Sequence, residues 1–424
     1  MKIVYEEKGI FWDFLLLILA LIFNFFDENI YLVFFQTASI VTFLILRFRA
    51  TPLSPFFFLA PSSAYFALGV SYLYLFPIDS TTRFFTAVAL GFFAFSITLR
   101  LNYRVSLKDY TDRLLSSKFI IQIYCITIVL IILSNFLLHF SGLVKLGTAL
   151  TLMIVPTLTA IILGCVATMA TRSFQKSLLL IIPYGIYIFF FKLNEYDFSR
   201  LSILDLIIFI SVAMFFSYRQ TRIRLFSGSK IVGVMLLLPT FLGFYYISYL
   251  GSLKQFGGDL MIVNNAIEVM NASEGHHEPF MPFFNSFFIF LPDYFWFSEK
   301  PYNFNPSAWY ISTVMNLDPE TYPWGIGVTM FGAGYLYGGY FGIALIFSFT
   351  AMFFNWIVKL SVNPFWVGFL LYFSMRLPLA FFRMDEMFLF GSFFPTLVSI
   401  YTFKHFFQRR INKCFSISPT VGNL

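Results

Sequence analysis

Apolar residues in this chain come in runs of sixteen or more, broken by short patches of charge, and this spacing restricts the fold more than any other feature. A bilayer's hydrocarbon core is crossed by a helix of ~20 apolar residues. A helix on a soluble core needs only an apolar stripe and keeps polar residues on its other face. Composition agrees: 59% of the residues are hydrophobic and 12% charged, against roughly 25% charged in a soluble domain.

The runs fall at 10–26, 30–46, 55–76, 84–101, 119–140, 147–171, 178–193, 201–217, 231–250, 338–358, 363–382 and 387–404. The first follows Lys2 and Lys8, and Asp27-Glu28-Asn29 stands where a signal peptide would carry a small-residue cleavage site, so it reads as a span. The sequence thus predicts an all-α polytopic membrane protein of about twelve transmembrane helices. It divides into an N-terminal bundle at 1–250, an extracytoplasmic loop at 251–337, C-terminal spans at 338–404 and a tail at 405–424.

Cytoplasmic loops carry the excess of Lys and Arg. Alternating the loops puts only eight of the 28 on the other side: Arg83, Lys145, Lys192, Arg200, Lys254, Lys300, Arg376 and Arg383. Both termini are therefore expected inside and the long loop outside. The net charge of +7 follows the loops, so it reads as membrane topology and not as a nucleic-acid surface. Cys125, Cys165 and Cys414 sit in or beside apolar runs with no CxxC, which implies neither a disulfide framework nor a metal site.

The long loop is acidic, with Asp259, Glu268, Glu274, Glu278, Asp293, Glu299, Asp318 and Glu320 against Lys254 and Lys300. Within it Leu260, Val263, Ile267 and Met270 recur at helical spacing, which predicts a short helix lying on the membrane surface. Pro- and aromatic-rich backbone beyond it is excluded from hydrocarbon but can cover the mouth of a bundle. Four arginines, Arg83, Arg200, Arg376 and Arg383, are placed near the outer face, where a guanidinium either holds a phosphate bidentately or pairs with a nearby carboxylate. His276 and His277, between Glu274 and Glu278, read more readily as a solvated tip than as a general base. The seven glycines at 325–342 lack the lysine of a phosphate loop and read as close helix packing.

The stretch 290–342 carries a resemblance. Leu291-Pro292-Asp293-Tyr294-Phe295-Trp296, Glu299-Lys300-Pro301 and Asn305-Pro306-Ser307-Ala308-Trp309-Tyr310, followed by a Gly-rich approach to the next span, resemble the main outer loop of Wzy-type polysaccharide repeat-unit polymerases, nearest the enterobacterial common antigen type. Arg200 opening a span and Arg383 with Asp385 near the last span are similar to that family as well.

The resemblance implies a GT-C-like glycosyltransferase of the bacterial inner membrane. It would move growing polysaccharide from one undecaprenyl pyrophosphate onto a sugar hydroxyl of another lipid-linked unit, with no nucleotide sugar, cofactor or metal and no nucleic-acid partner. A chain-length-regulating co-polymerase is the further partner it implies. Such chemistry asks for positive charge at the departing pyrophosphate and a base at the acceptor hydroxyl. Arg200, Arg383 and Lys300 are candidates for the first; Asp259, Asp293, Asp385 and His277 for the second. Trp296, Trp309 and Tyr310 are candidates for stacking on sugars, or equally for an interfacial aromatic belt. Two other readings stay open: an O-antigen ligase, and a flippase or transporter. The transporter reading wants polar groups within the spans, whose middles here read as nearly all Phe, Leu and Ile.

Overall fold

The computed structural model describes residues 2–6, 10–48, 53–75, 80–99, 102–106, 121–122, 124–130, 132, 144–187, 198–221, 261–287, 306–319, 327–360, 364–382, 389–391, 393–402 and 405. Helix predominates. Ile10–Phe23 (α1), Ile30–Arg47 (α2), Pro55–Leu75 (α3) and Thr81–Thr98 (α4) come first, then Val144–Ala170 (α5), Phe174–Tyr187 (α6) and Phe198–Thr221 (α7). Ile262–Ala272 (α8), Met281–Ser286 (α9) and Pro306–Thr313 (α10) follow in the predicted loop, and Met330–Leu360 (α11) and Pro364–Phe382 (α12) close the series.

Among the described residues four helices are long and apolar enough to cross a membrane: Ile30–Arg47, Thr81–Thr98, Met330–Leu360 and Phe365–Phe382. Shorter apolar helices run at Ile10–Phe23, Pro156–Ala170, Phe174–Ile186, Asp205–Ser217 and Leu389–Thr402. Large apolar side chains stand out from α1 and α2, among them Phe11, Phe14, Ile22, Phe34 and Phe35. Rings left bare on a helix surface are at rest in lipid and not in water, so these helices mark a membrane-embedded protein. The predicted runs 231–250 and most of 119–140 lie outside the described residues.

One departure from all-α is a two-stranded ribbon, Lys2–Glu6 (β1) antiparallel to Asn102–Ser106 (β2), with Lys2 opposite Ser106 and Glu6 opposite Asn102. Neither strand is apolar enough to have been read as an element from its own residues, because pairing alone makes it one. The ribbon ties the chain before α1 to the chain after α4, so the beginning of α1 and the end of α4 share one end of the bundle.

Polar contacts at both ends bear out that up-and-down order. At the ribbon end Asp13 of α1, Arg47 of α2 and Ser96 of α4 meet out of solvent: Arg47 Nε lies 3.3 Å from Asp13 Oδ2, and Arg47 donates to Ser96 Oγ at 3.2 Å. The Arg47 guanidinium also lies 4.3 Å from the centre of the Phe56 ring, at the start of α3. At the other end Glu28, between α1 and α2, accepts from the backbone N–H groups of Ser80 (2.6 Å) and Thr82 (3.0 Å). A carboxylate from a neighbouring loop thus satisfies orphan donors at the start of α4, and it sits where the helix dipole favours negative charge. We call this the Arg83 end.

The seven glycines at 325–342 include the sharpest feature of the fold. Met330–Leu360 is not one rod: the chain reverses at Gly338-Gly339, and Gly339 has φ +60°, ψ −143°, a conformation nearly closed to other residues. A straight helix would hold residues 334 and 342 ~12 Å apart. Instead, a Cβ on Gly342 would lie 2.1 Å from the Gly334 carbonyl oxygen, so the limb 330–337 packs back on the limb 340–360. Thr329 caps the short limb, its Oγ1 accepting from the Gly332 N–H at 3.2 Å.

The short limb reaches deep. A Cβ on Gly91 would be 2.8 Å from the Phe331 ring, and Gly91 is ten residues into α4, ~15 Å from the Arg83 end and about half the thickness of a hydrocarbon core. Phe331 meets Phe84, Phe92, Phe347, Phe381 and Phe382 in an aromatic centre shared by α4, α11 and α12.

α8 lies beside this limb. The sequence places it flat on the membrane with one stripe down; the structure sinks it among α3, α4 and α11. Val263, Ala266, Ile267, Val269 and Met270 are buried, and so are Asn264 and Asn265. Close approach explains the difference, since Val263 faces Gly69 and Ala266 faces Gly332, where the absence of a Cβ leaves room. Asn265 Nδ2 donates to the Gly327 carbonyl at 3.2 Å, satisfying backbone that would otherwise be stranded at membrane depth.

Candidate functional site

Polar chemistry gathers where α8, α10 and the hairpin of α11 meet the Arg83 end. Glu268 of α8 accepts from Asn264 Nδ2 at 2.9 Å and from the Tyr310 hydroxyl. Glu278 accepts from the Trp309 indole N–H at 3.0 Å, and its own backbone N–H donates to the Leu336 carbonyl at 2.9 Å. Arg83, at the start of α4, takes Glu274 bidentately at 2.9 and 3.0 Å and also donates to Asn271 Oδ1 at 3.3 Å. The segment 262–280 is thereby fastened to α4, α10 and α11 at separate points.

These contacts give Trp309 and Tyr310 a definite situation. Tyr310 is buried, with its ring in the core and its hydroxyl on Glu268, so it braces α10 against α8 and offers no open face to a sugar. Trp309 is half-buried and spends its N–H on Glu278. His277 is exposed, as a solvated tip would be; its ring meets Tyr335 edge-on at 5.7 Å between centroids and lies over Gly339 at the hairpin's turn. Arg200 falls in the first turn of α7. Asp259, Asp293, Asp385, Lys300, Arg383 and Trp296 lie outside the described residues. Among the described residues, no three metal-ligating side chains converge.

A second polar group sits inside the helices. Arg376 of α12 lies 3.3 Å from Asp205 of α7, with the two side chains 11% and 7% exposed. Tyr184 of α6 donates to the same Asp205 oxygen at 3.4 Å, and the guanidinium lies 5.3 Å from the centre of the Tyr372 ring. Asp205 is seven residues into α7, and Arg376 is six before Phe382, which itself meets Phe92 and Phe331 at about half the bundle's depth, so the pair lies well inside the helices and not at the Arg83 end. The sequence puts Arg376 near the outer face and reads the middles of the spans as nearly all Phe, Leu and Ile. The pair corrects the first placement, and the available signal was Asp205 itself, since a carboxylate inside an apolar run needs a cation from another run.

Between α1, α4 and the hairpin the surface opens into a depression of about 420 Å³, lined by Asn24, Glu28, Ser80, Thr82, Arg83 and Tyr340. Arg83, with its side chain 24% exposed, forms part of this wall while its guanidinium holds the more exposed Glu274.

Comparison with protein-family models, with curated proteins and with solved structures finds no match for the chain.

Proposed function

We propose that the chain is a polymerase of undecaprenyl-pyrophosphate-linked oligosaccharide units, working at the face of the membrane that carries the Arg83 end. The donor sugar's bond to pyrophosphate breaks, a bond to an acceptor hydroxyl forms, and the acceptor's proton passes to a base. Arg200, in the first turn of α7, and Arg383 are the proposed pyrophosphate ligands, and the Arg83 end is the proposed periplasmic face.

The observation that carries this reading joins motif to geometry. The stretch Asn305 to Tyr310, part of the family resemblance, contributes α10, and its Trp309 and Tyr310 bond to Glu278 and Glu268 of the segment that plunges between α3, α4 and α11. A loop so tied is a built cover on a bundle, which is what transfer between two lipid-linked glycans away from bulk water requires.

A transporter of lipid-linked oligosaccharide is the second reading. It is favoured by the half-length limbs 262–272 and 330–337 and by the intramembrane Arg376–Asp205 pair, features of helices broken around a substrate path.

Deletion in the native host followed by electrophoresis of surface glycans separates the readings. Single repeat units without long chains support the polymerase, and loss of all units at the surface supports the transporter. Polymer left on its lipid carrier supports a ligase, and long-chain polymer persisting in the deletion strain rules the polymerase out. Complementation with Arg200→Ala and Arg383→Ala, each expected to abolish chain extension, tests the assigned arginines.

A further inference from the structure

We propose that the depression beside Arg83 is a subsite for an uncharged sugar ring of the lipid-linked glycan, and that it does not take the pyrophosphate. The proposal rests on the polymerase reading for the identity of the glycan and on the depression's own chemistry for the class of ligand. Charge decides first. One guanidinium, Arg83, stands against two carboxylates, Glu28 in the wall and Glu274 on the guanidinium itself. A phosphate entering here meets an excess of negative charge, whereas a polyol meets acceptors for its hydroxyls.

Hydrogen-bond capacity points the same way. Glu28 receives three bonds, from Ser80 N, Thr82 N and Thr82 Oγ1, out of the ~four that a carboxylate accepts. Asn24 donates one of its two amide hydrogens to Thr86 Oγ1 at 3.0 Å and receives only a long 3.4 Å bond from it, leaving a donor and an acceptor. Ser80 Oγ and the Tyr340 hydroxyl have no partner among the described residues. Tyr340 is 38% exposed and opens the limb that follows the hairpin, and it joins a wall that is almost entirely polar. Unspent donors and acceptors from three elements around a space of about 420 Å³ suit the ring of hydroxyls that a sugar presents. Ser80 is held at φ +72°, a conformation uncommon outside glycine, at the rim of this same space.

The test uses the full chain in lipid nanodiscs and two probes: oligosaccharides released by mild acid from the native host's own polyprenyl-linked pool, and inorganic pyrophosphate. Saturation-transfer NMR is expected to show the oligosaccharides in contact with the wild-type protein. Asn24→Ala and Tyr340→Ala should each weaken that contact about tenfold, and Tyr340→Phe, which removes only the hydroxyl, by a similar factor. Pyrophosphate binding should be the same in all four proteins. Absence of oligosaccharide contact with wild type, equal contact in every variant, or loss of pyrophosphate binding in the variants would each overturn the subsite. If the variants lose the oligosaccharide while a deletion strain keeps its long-chain polymer, the subsite stands and the polymerase reading falls.

Discussion

Two arginines of this chain hold carboxylates under opposite conditions, and their surroundings set what each is worth. Arg83 and Glu274 meet with side chains 24% and 61% exposed, where water screens the pair and its net contribution is at most about 1 kcal/mol. Arg83→Ala should therefore shift the melting temperature little, and any larger effect on binding at the proposed subsite would come from the wall it forms. Arg376 and Asp205 meet at 11% and 7% exposure. There the cost falls on whichever partner is left alone: Asp205→Ala should destabilise by about 3–5 kcal/mol, and adding Arg376→Met should restore most of it. Thermal unfolding in detergent of the two single variants and the double variant checks this. A double variant no more stable than Asp205→Ala would show that the arginine's charge is not what the aspartate answers.

Among the elements, the helices were easiest to read because an apolar run needs no partner to declare itself. The described helices at 10–23, 30–47, 55–75, 174–187 and 198–221 start or end within a few residues of their runs. The elements misread were those whose state depends on contacts distant in sequence. Residues 262–272 carry a stripe that suits a membrane surface, and only Gly69 and Gly332, far along the chain, make room to bury the helix all round. The ribbon and the Asp205–Arg376 pair were hidden for the same reason, each half being ordinary without the other. Of the candidate site, the motif at 305–310 was legible, but not that Tyr310 would turn inward to Glu268. The hairpin allows a direct test: Gly339→Ala puts a Cβ on φ +60°, ψ −143° beside the His277 ring. It should cost about 1–3 kcal/mol, read as a lowered melting temperature, while Gly338→Ala, at the extended φ of 172°, should cost less.

For the whole molecule, the order of ends is the property most open to experiment. Residues 2–6 and 102–106 form a ribbon at one end, and Glu28, Ser80, Arg83 and Glu274 meet at the other. Cysteines placed singly at Glu274 and at Arg104 in a chain freed of its three native cysteines should be labelled by a membrane-impermeant maleimide from opposite sides. Labelling of both from one side would mean that α1–α4 do not cross. The reversal at Gly338-Gly339 bears on this arithmetic. Because the limb 330–337 comes back to the face it left, 31 consecutive residues of α11 count for one passage through the bilayer and not for two. A fold of this kind can therefore gain or lose such a hairpin without exchanging inside for outside anywhere else. The hairpin and the helix packed beside it are free to vary in depth while the rest of the chain keeps its sidedness.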